Sequence, residues 1–159
     1  MKIFYLSFYF LLASFSLQAQ LFVDTSYTAE EMVMDFFDNS CVTPSNVSFT
    51  GAPLTMAFFE GANTNLGVNA GIMLTTGDVN NAIGPNNIEG AGSAMGTDGD
   101  GLLSAYGAMV PTFDAAVLEM DIVATTDTLC FRYVFGSEEY EEWVGSSFND
   151  IFAFFITGP

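Results

Sequence analysis

Two neighbouring stretches decide the fold: Val117-Leu118-Glu119-Met120-Asp121-Ile122-Val123, within residues 116–123, and Thr128-Leu129-Cys130-Phe131-Arg132-Tyr133-Val134-Phe135. In both, large apolar side chains recur at every second position, the period that sends alternate side chains to opposite faces of a pleated strand. Leu118, Met120 and Ile122 share one face, as do Leu129, Phe131, Tyr133 and Phe135, while Glu119, Asp121 and Arg132 point the other way. With residues 124–127 as the turn, the two read as an antiparallel hairpin that sets Glu119 opposite Arg132 and Met120 opposite Phe131. A cross-strand ion pair of that kind contributes about 0.2 to 1 kcal/mol. It gives Arg132 a structural role and not a catalytic one.

Downstream, residues 151–156 are apolar at every position, the pattern of a central strand covered on both faces, and residues 145–150 read as its lead-in loop. Upstream, residues 47–50, 56–59 and 72–75 are short strand candidates separated by Gly, Asn, Pro and Asp. Between residues 63 and 107 the text turns to loops, with Asn80-Asn81, Gly84-Pro85-Asn86-Asn87 and Asp98-Gly99-Asp100-Gly101. Long loops in a small domain usually carry function or motion. Before the strands, Thr28 and Glu31 stand at the spacing of a capping box. Met32 with Phe36 and Val33 with Phe37 then line one stripe of a helix of about three turns, ended by Asp38-Asn39-Ser40. The expected fold is all-β, an antiparallel β-sandwich or jelly-roll-like domain with a short N-terminal helix.

Residues 1–19 read as a secretory signal peptide. Lys2 supplies the positive start, an apolar core follows, and Ser16-Leu17-Gln18-Ala19 offers a small-residue cleavage site. The apolar run is shorter than the roughly 20 residues that span a bilayer, so no membrane insertion is expected after cleavage. Residues 20–40 form the helix-bearing N-terminal segment and residues 41–159 the β domain. Because the sequence ends at Gly158-Pro159 directly after an apolar strand, the domain is expected to be truncated at its C-terminus and to belong to a longer protein.

Cleavage leaves Arg132 as the one basic side chain against 19 acids, a formal charge of −18 where the whole sequence carries −17. Such a chain repels phosphates and anionic lipid heads, so nucleic acid is excluded as a partner and cations are the natural counterpart. Charged residues are only 13% of the chain and hydrophobic ones 50%, which places it among foldable and not disordered sequences. Cys41 and Cys130 are the two cysteines, and an exported chain meets an oxidising compartment. A bridge between them would close a long loop worth about 4 kcal/mol in the chain-entropy model. Two separate buried thiols are the alternative.

The blocks Tyr133-Val134-Phe135-Gly136-Ser137-Glu138-Glu139-Tyr140, Phe148-Asn149-Asp150 with residues 152–159, and Gly71-Ile72-Met73-Leu74-Thr75-Thr76-Gly77 with Gly84-Pro85-Asn86 occur in an order that resembles the choice-of-anchor L domain. This family comprises extracellular domains of large bacterial surface proteins, seen especially in Bacteroidetes-type secreted and gliding motility-associated proteins. The resemblance implies a secreted or cell-surface location; it implies no particular ligand or reaction.

Three chemistries fit the residues. Calcium takes six to eight oxygen ligands, and Asp98, Asp100, Glu138, Glu139, Asn149 and Asp150 supply carboxylates and an amide that one site could join. The bland alternative is that Glu138, Glu139, Glu141 and Glu142 form a solvated acidic turn. Tyr140 and Trp143, amphipathic rings beside carboxylates, suit a stacked sugar; Trp143 packed at an edge of the core is the competing reading. Catalysis by a paired-carboxylate glycoside hydrolase would need two acids about 5 to 9.5 Å apart, for which Glu138 and Asp150 could serve. With no histidine in the chain, the usual Ser-His-Asp and Cys-His arrangements are absent, as are typical zinc sites. The expected function is therefore a non-catalytic extracellular adhesion or recognition module, calcium-stabilised, with a glycan or protein ligand. A lectin-like domain is the alternative.

Overall fold

The computed structural model describes residues 20–88, 90–108, 111–137, 140–141 and 143–158. Strand β1 is Phe22–Asp24, helix α1 Ala29–Phe36, β2 Val42–Thr50, β3 Met56–Glu60, β4 Ala70–Leu74 and β5 Val117–Ala124. A 3₁₀ turn occupies Val79–Ile83, and a single α-turn, α2, at Gly101–Leu103 runs into a π-helical turn at Ser104–Ala108. Among the described residues the five strands form two antiparallel sheets. One has the order β1-β3-β4 and the other pairs β2 with β5.

Helix α1 starts where its sequence says it should. The Thr28 side chain accepts from the Glu31 N–H at 3.3 Å while the Glu31 carboxylate accepts from the Thr28 N–H at 3.0 Å, so two of the N-terminal donors are satisfied reciprocally. Those bonds favour the ionised form of Glu31 and hold its carboxyl below the ordinary value, the Thr28 backbone N–H contributing most and its hydroxyl next. Asp24 is lowered in the same way by Ser26, through the hydroxyl first and the backbone N–H second.

With only eight residues, α1 ends at Phe36, short of the three turns expected. Met32 and Val33 are buried, but Phe36 remains exposed and meets Phe37 edge-on at 5.0 Å. The helix touches β2 of one sheet and β4 of the other, with Met32 and Val33 buried. The core continues through Val42, Ala52, Met56, Ala57, Phe59 and Val79, with Ala115 and the fully buried Thr55. Thr55 is satisfied there because its hydroxyl donates to the Ala52 carbonyl at 2.7 Å.

The hairpin expected from residues 116–123 and 128–135 is not formed. Strand β5 pairs instead with β2, from Val42 opposite Ala124 to Thr50 opposite Val117, which places Glu119 against Ser48 and not against Arg132. The reason is length. Strand β2 begins five residues before the expected 47–50 segment and runs through Pro44, so it offers β5 a partner along its whole extent. Proline is tolerated because this is a two-stranded sheet, where either strand has a free edge. The register shifts between Ser45 and Ser48, at a bulge where Asn46 takes φ 51° and its amide donates to the Asp121 carboxylate at 2.6 Å.

Residues 128–135 and 151–156 both lie outside the strands. They are nonetheless held side by side through their rings. Phe131 stacks on Phe154 with centroids 4.3 Å apart, and Tyr133 stacks on Phe152 at 5.4 Å. As the number rises along one segment it falls along the other, so the two run antiparallel with the ring pairs on one face. The expected covering layers are missing from this ribbon among the described residues: Phe131, Tyr133, Phe152 and Phe154 are all exposed. The fold is thus a small antiparallel β domain with little helix.

Candidate functional site

The glycine-rich loop around Asp98 is a built structure. Asp98 forms an isolated antiparallel bridge with Phe113, and the N–H groups of Asp114 and Ala115 donate to the carbonyls of Thr97 and Asp98 at 3.0 and 3.1 Å. Asp114, at φ 53°, turns its carboxylate back on the loop. Its Oδ1 accepts from the Thr97 N–H at 2.7 Å and the Thr97 hydroxyl at 3.3 Å, and its Oδ2 accepts from the Met95 N–H at 3.2 Å. Thr112 Oγ1 accepts from the Asp100 N–H at 3.0 Å, and Ser104 Oγ donates to the Asp100 carbonyl at 2.8 Å. Gly99 passes so close to Thr112 that a Cβ there would overlap the Thr112 carbonyl. That approach explains why glycine separates the two aspartates.

These contacts redirect the acids expected to bind calcium. Asp100 is the N-cap of α2: its Oδ1 accepts from the N–H groups of Leu102 and Leu103 at 2.8 and 2.9 Å. Asp98 is exposed on the same loop. Asp150 is part-buried, with the Ser137 hydroxyl 3.4 Å from its Oδ2, and Asn149 before it is exposed. Glu138 and Glu139 lie outside the described residues. Among the described residues no three His, Cys, Asp or Glu side chains converge to hold a metal ion. The structure therefore brings Asp98 and Asp100 together on one loop, with Asp100 turned to the N-terminus of α2.

Tyr140 and Trp143 sit on successive turns, marked by the Val144 N–H donating to Glu141 at 3.3 Å and the Ser146 N–H donating to Trp143 at 2.9 Å. Trp143 is the more enclosed, meeting Phe148 edge-on at 5.3 Å, while Tyr140 is 70% exposed.

A larger aromatic surface escaped the sequence reading. The stacked pairs Phe131/Phe154 and Tyr133/Phe152 form two rungs of one face, and Phe155 on the second segment meets Tyr106 at 5.8 Å. The signal was present in the parity of the residue numbers. Phe131 and Tyr133 alternate on one segment and Phe152 and Phe154 on the other, so pairing 128–135 with 151–156 instead of with β5 would have joined them.

Cys41 and Cys130 both carry exposed thiols, which does not fit the alternative of two separate buried ones. Residues 1–19 lie outside the described residues, and no helix among the described residues is long and apolar enough to cross a membrane.

Comparison with known proteins agrees with the order of the sequence blocks. The family model described as the choice-of-anchor L domain matches residues 21–159, covering both sheets, the Asp98 loop and the aromatic ribbon. No match was found among the curated proteins or among the solved structures.

Proposed function

This chain belongs to the choice-of-anchor L family, and from that premise we propose that it is a non-catalytic recognition module through which a larger surface-associated protein adheres to an extracellular ligand. The observation that carries the proposal is the exposed double rung of rings, Phe131/Phe154 and Tyr133/Phe152, with all four side chains 48% to 63% accessible. Exposed contiguous apolar surface on a soluble domain marks interaction sites. Aromatic side chains are also the residues that most often dominate binding energy. The acidic surroundings keep such a surface soluble and bias it away from anionic partners.

Glycan is the second reading, favoured by the exposed paired rings together with the exposed Tyr140 and Trp143. The two readings separate on immobilised panels of polysaccharides and of proteins, probed with the secreted full chain. Retention on either panel that disappears in Tyr133→Ser/Phe154→Ser, with circular dichroism unchanged, supports recognition by the ribbon. Retention that survives this double substitution but fails in Trp143→Ala moves the site to the 140–143 turn. No retention on any surface contradicts the adhesive role.

Calcium stabilisation belongs to the same proposal, centred on Asn149 and Asp150 with Glu138 and Glu139, which follow the Asp150 partner Ser137 in sequence, because Asp100 is already engaged as a helix cap. A calcium-dependent rise in Tm that is reversed by chelator and absent in Asp150→Ala supports it. A rise that is instead absent in Asp98→Ala moves calcium to the loop. Secretion by cleavage after Ala19 is checked by N-terminal sequencing of the exported chain, which should begin at Gln20.

A further inference from the structure

The pair of groups that the recognition reading leaves unused is the two thiols. Cys41 immediately precedes β2, and its carbonyl accepts from both the N–H of Thr125 at 2.9 Å and the Thr125 hydroxyl at 3.2 Å. Thr125 immediately follows β5, so Cys41 stands at the open end of the β2–β5 pair, beside the point where the chain leaves it. From there the backbone bends through residues 125–127, with the Thr126 hydroxyl donating to the Thr128 carbonyl at 3.0 Å, and reaches Cys130. Five residues extend at most about 17 Å, and the bend shortens that reach. The segment carrying Cys130 lies outside every strand, so it can turn toward Cys41 without breaking the β2–β5 ladder. Both thiols are exposed to an oxidant.

We propose that export converts Cys41 and Cys130 into an intrachain disulfide that fastens the aromatic ribbon to the end of the β2–β5 sheet. The oxidant is a protein dithiol–disulfide oxidase of the export compartment. One cysteine thiolate attacks a sulfur of the donor disulfide, forming a mixed disulfide and releasing one donor thiolate. The second cysteine thiolate then attacks the chain's own sulfur in that mixed disulfide, closing the bridge and releasing the other donor thiolate. Two protons leave the cysteines, and their two electrons reduce the donor to a dithiol. Because Phe131 and Tyr133 follow Cys130 directly, the bridge restrains the ring face at its root.

The test is intact-mass and peptide analysis of the full chain, isolated from an oxidising export compartment and alkylated in denaturant without reductant. The expected result is a monomer lighter than the reduced chain by two hydrogens and carrying no alkyl group. Its digest should contain a linked peptide pair bearing Cys41 and Cys130 that separates on reduction. Cys41→Ser and Cys130→Ser should each expose one alkylatable thiol and lower Tm to the same value as the double variant. Two alkylated thiols in the wild-type chain, or bridges between two copies, would overturn the proposal.

Discussion

Replacing Asp114 by alanine should loosen the Asp98 loop from the residues that anchor it, and the structure sets the size of the loss. The carboxylate accepts one short bond, from the Thr97 N–H at 2.7 Å, and two longer ones, from the Met95 N–H at 3.2 Å and the Thr97 hydroxyl at 3.3 Å. A hydrogen bond to a charged group is worth about 1.5 to 3 kcal/mol. Asp114 is only part-buried, so water recovers some of that loss and the longer bonds add little. Its φ of 53° is tolerated by aspartate but costs alanine about 1 kcal/mol. Together these give a destabilisation of about 2 to 4 kcal/mol. Asp114→Asn keeps an acceptor for Thr97 and tolerates the same backbone, so it should lose about 1 kcal/mol or less. Urea denaturation followed by circular dichroism measures both. An Asp114→Ala chain within about 0.5 kcal/mol of wild type, the range of an ordinary surface substitution, would refute the reasoning, as would an asparagine variant that loses as much as alanine.

Gly99→Ala should destabilise by about 1 to 3 kcal/mol, the range for overpacking, since its Cβ collides with Thr112; equal urea midpoints for the two chains would show that the loop can simply yield. Met32→Ala should cost about 2 to 5 kcal/mol, because Met32 is only 1% exposed at the junction of α1 with the sheets, and a loss under 1 kcal/mol in the same assay would contradict that placement. For Glu31 the sign follows from its lowered carboxyl: its contribution is present above the ordinary value of 4.5 and is lost as pH falls through the lower folded value. The stability difference between wild type and Glu31→Gln should therefore shrink on acidification, and a difference that grows toward low pH would reverse the assignment.

How much was legible in the sequence differs from element to element. Strand β5 announces itself because Leu118, Met120 and Ile122 alternate with Glu119 and Asp121, and strict alternation has few other readings. Its partner does not. Pro44 and Asn46 read as strand breakers, yet an edge position absorbs the first and a bulge the second, so β2 was recognised only in its last four residues. Local pairing rules favoured the nearer segment 128–135, whereas the ladder formed with a strand whose paired residues lie 67 to 82 positions away in the sequence, which no turn signal records. At the loop, the sequence displayed Asp98 and Asp100 as free carboxylates. It could not show that Asp100 would be used by the helix it precedes, or that Asp114 would supply the anchoring acid. The aromatic surface was legible as two apolar segments and illegible as one face, because stacking across a gap of twenty residues leaves no trace in either segment alone.

The most direct test of the account is the affinity of the ribbon itself. On the best-retained ligand from the panels, titration of wild type and Tyr133→Ser/Phe154→Ser should differ more than tenfold in Kd, since aromatic anchors contribute about 2 kcal/mol or more each and every 1.4 kcal/mol is about tenfold. Equal Kd values for two equally folded chains would contradict the claim that this domain recognises its ligand through the paired rings.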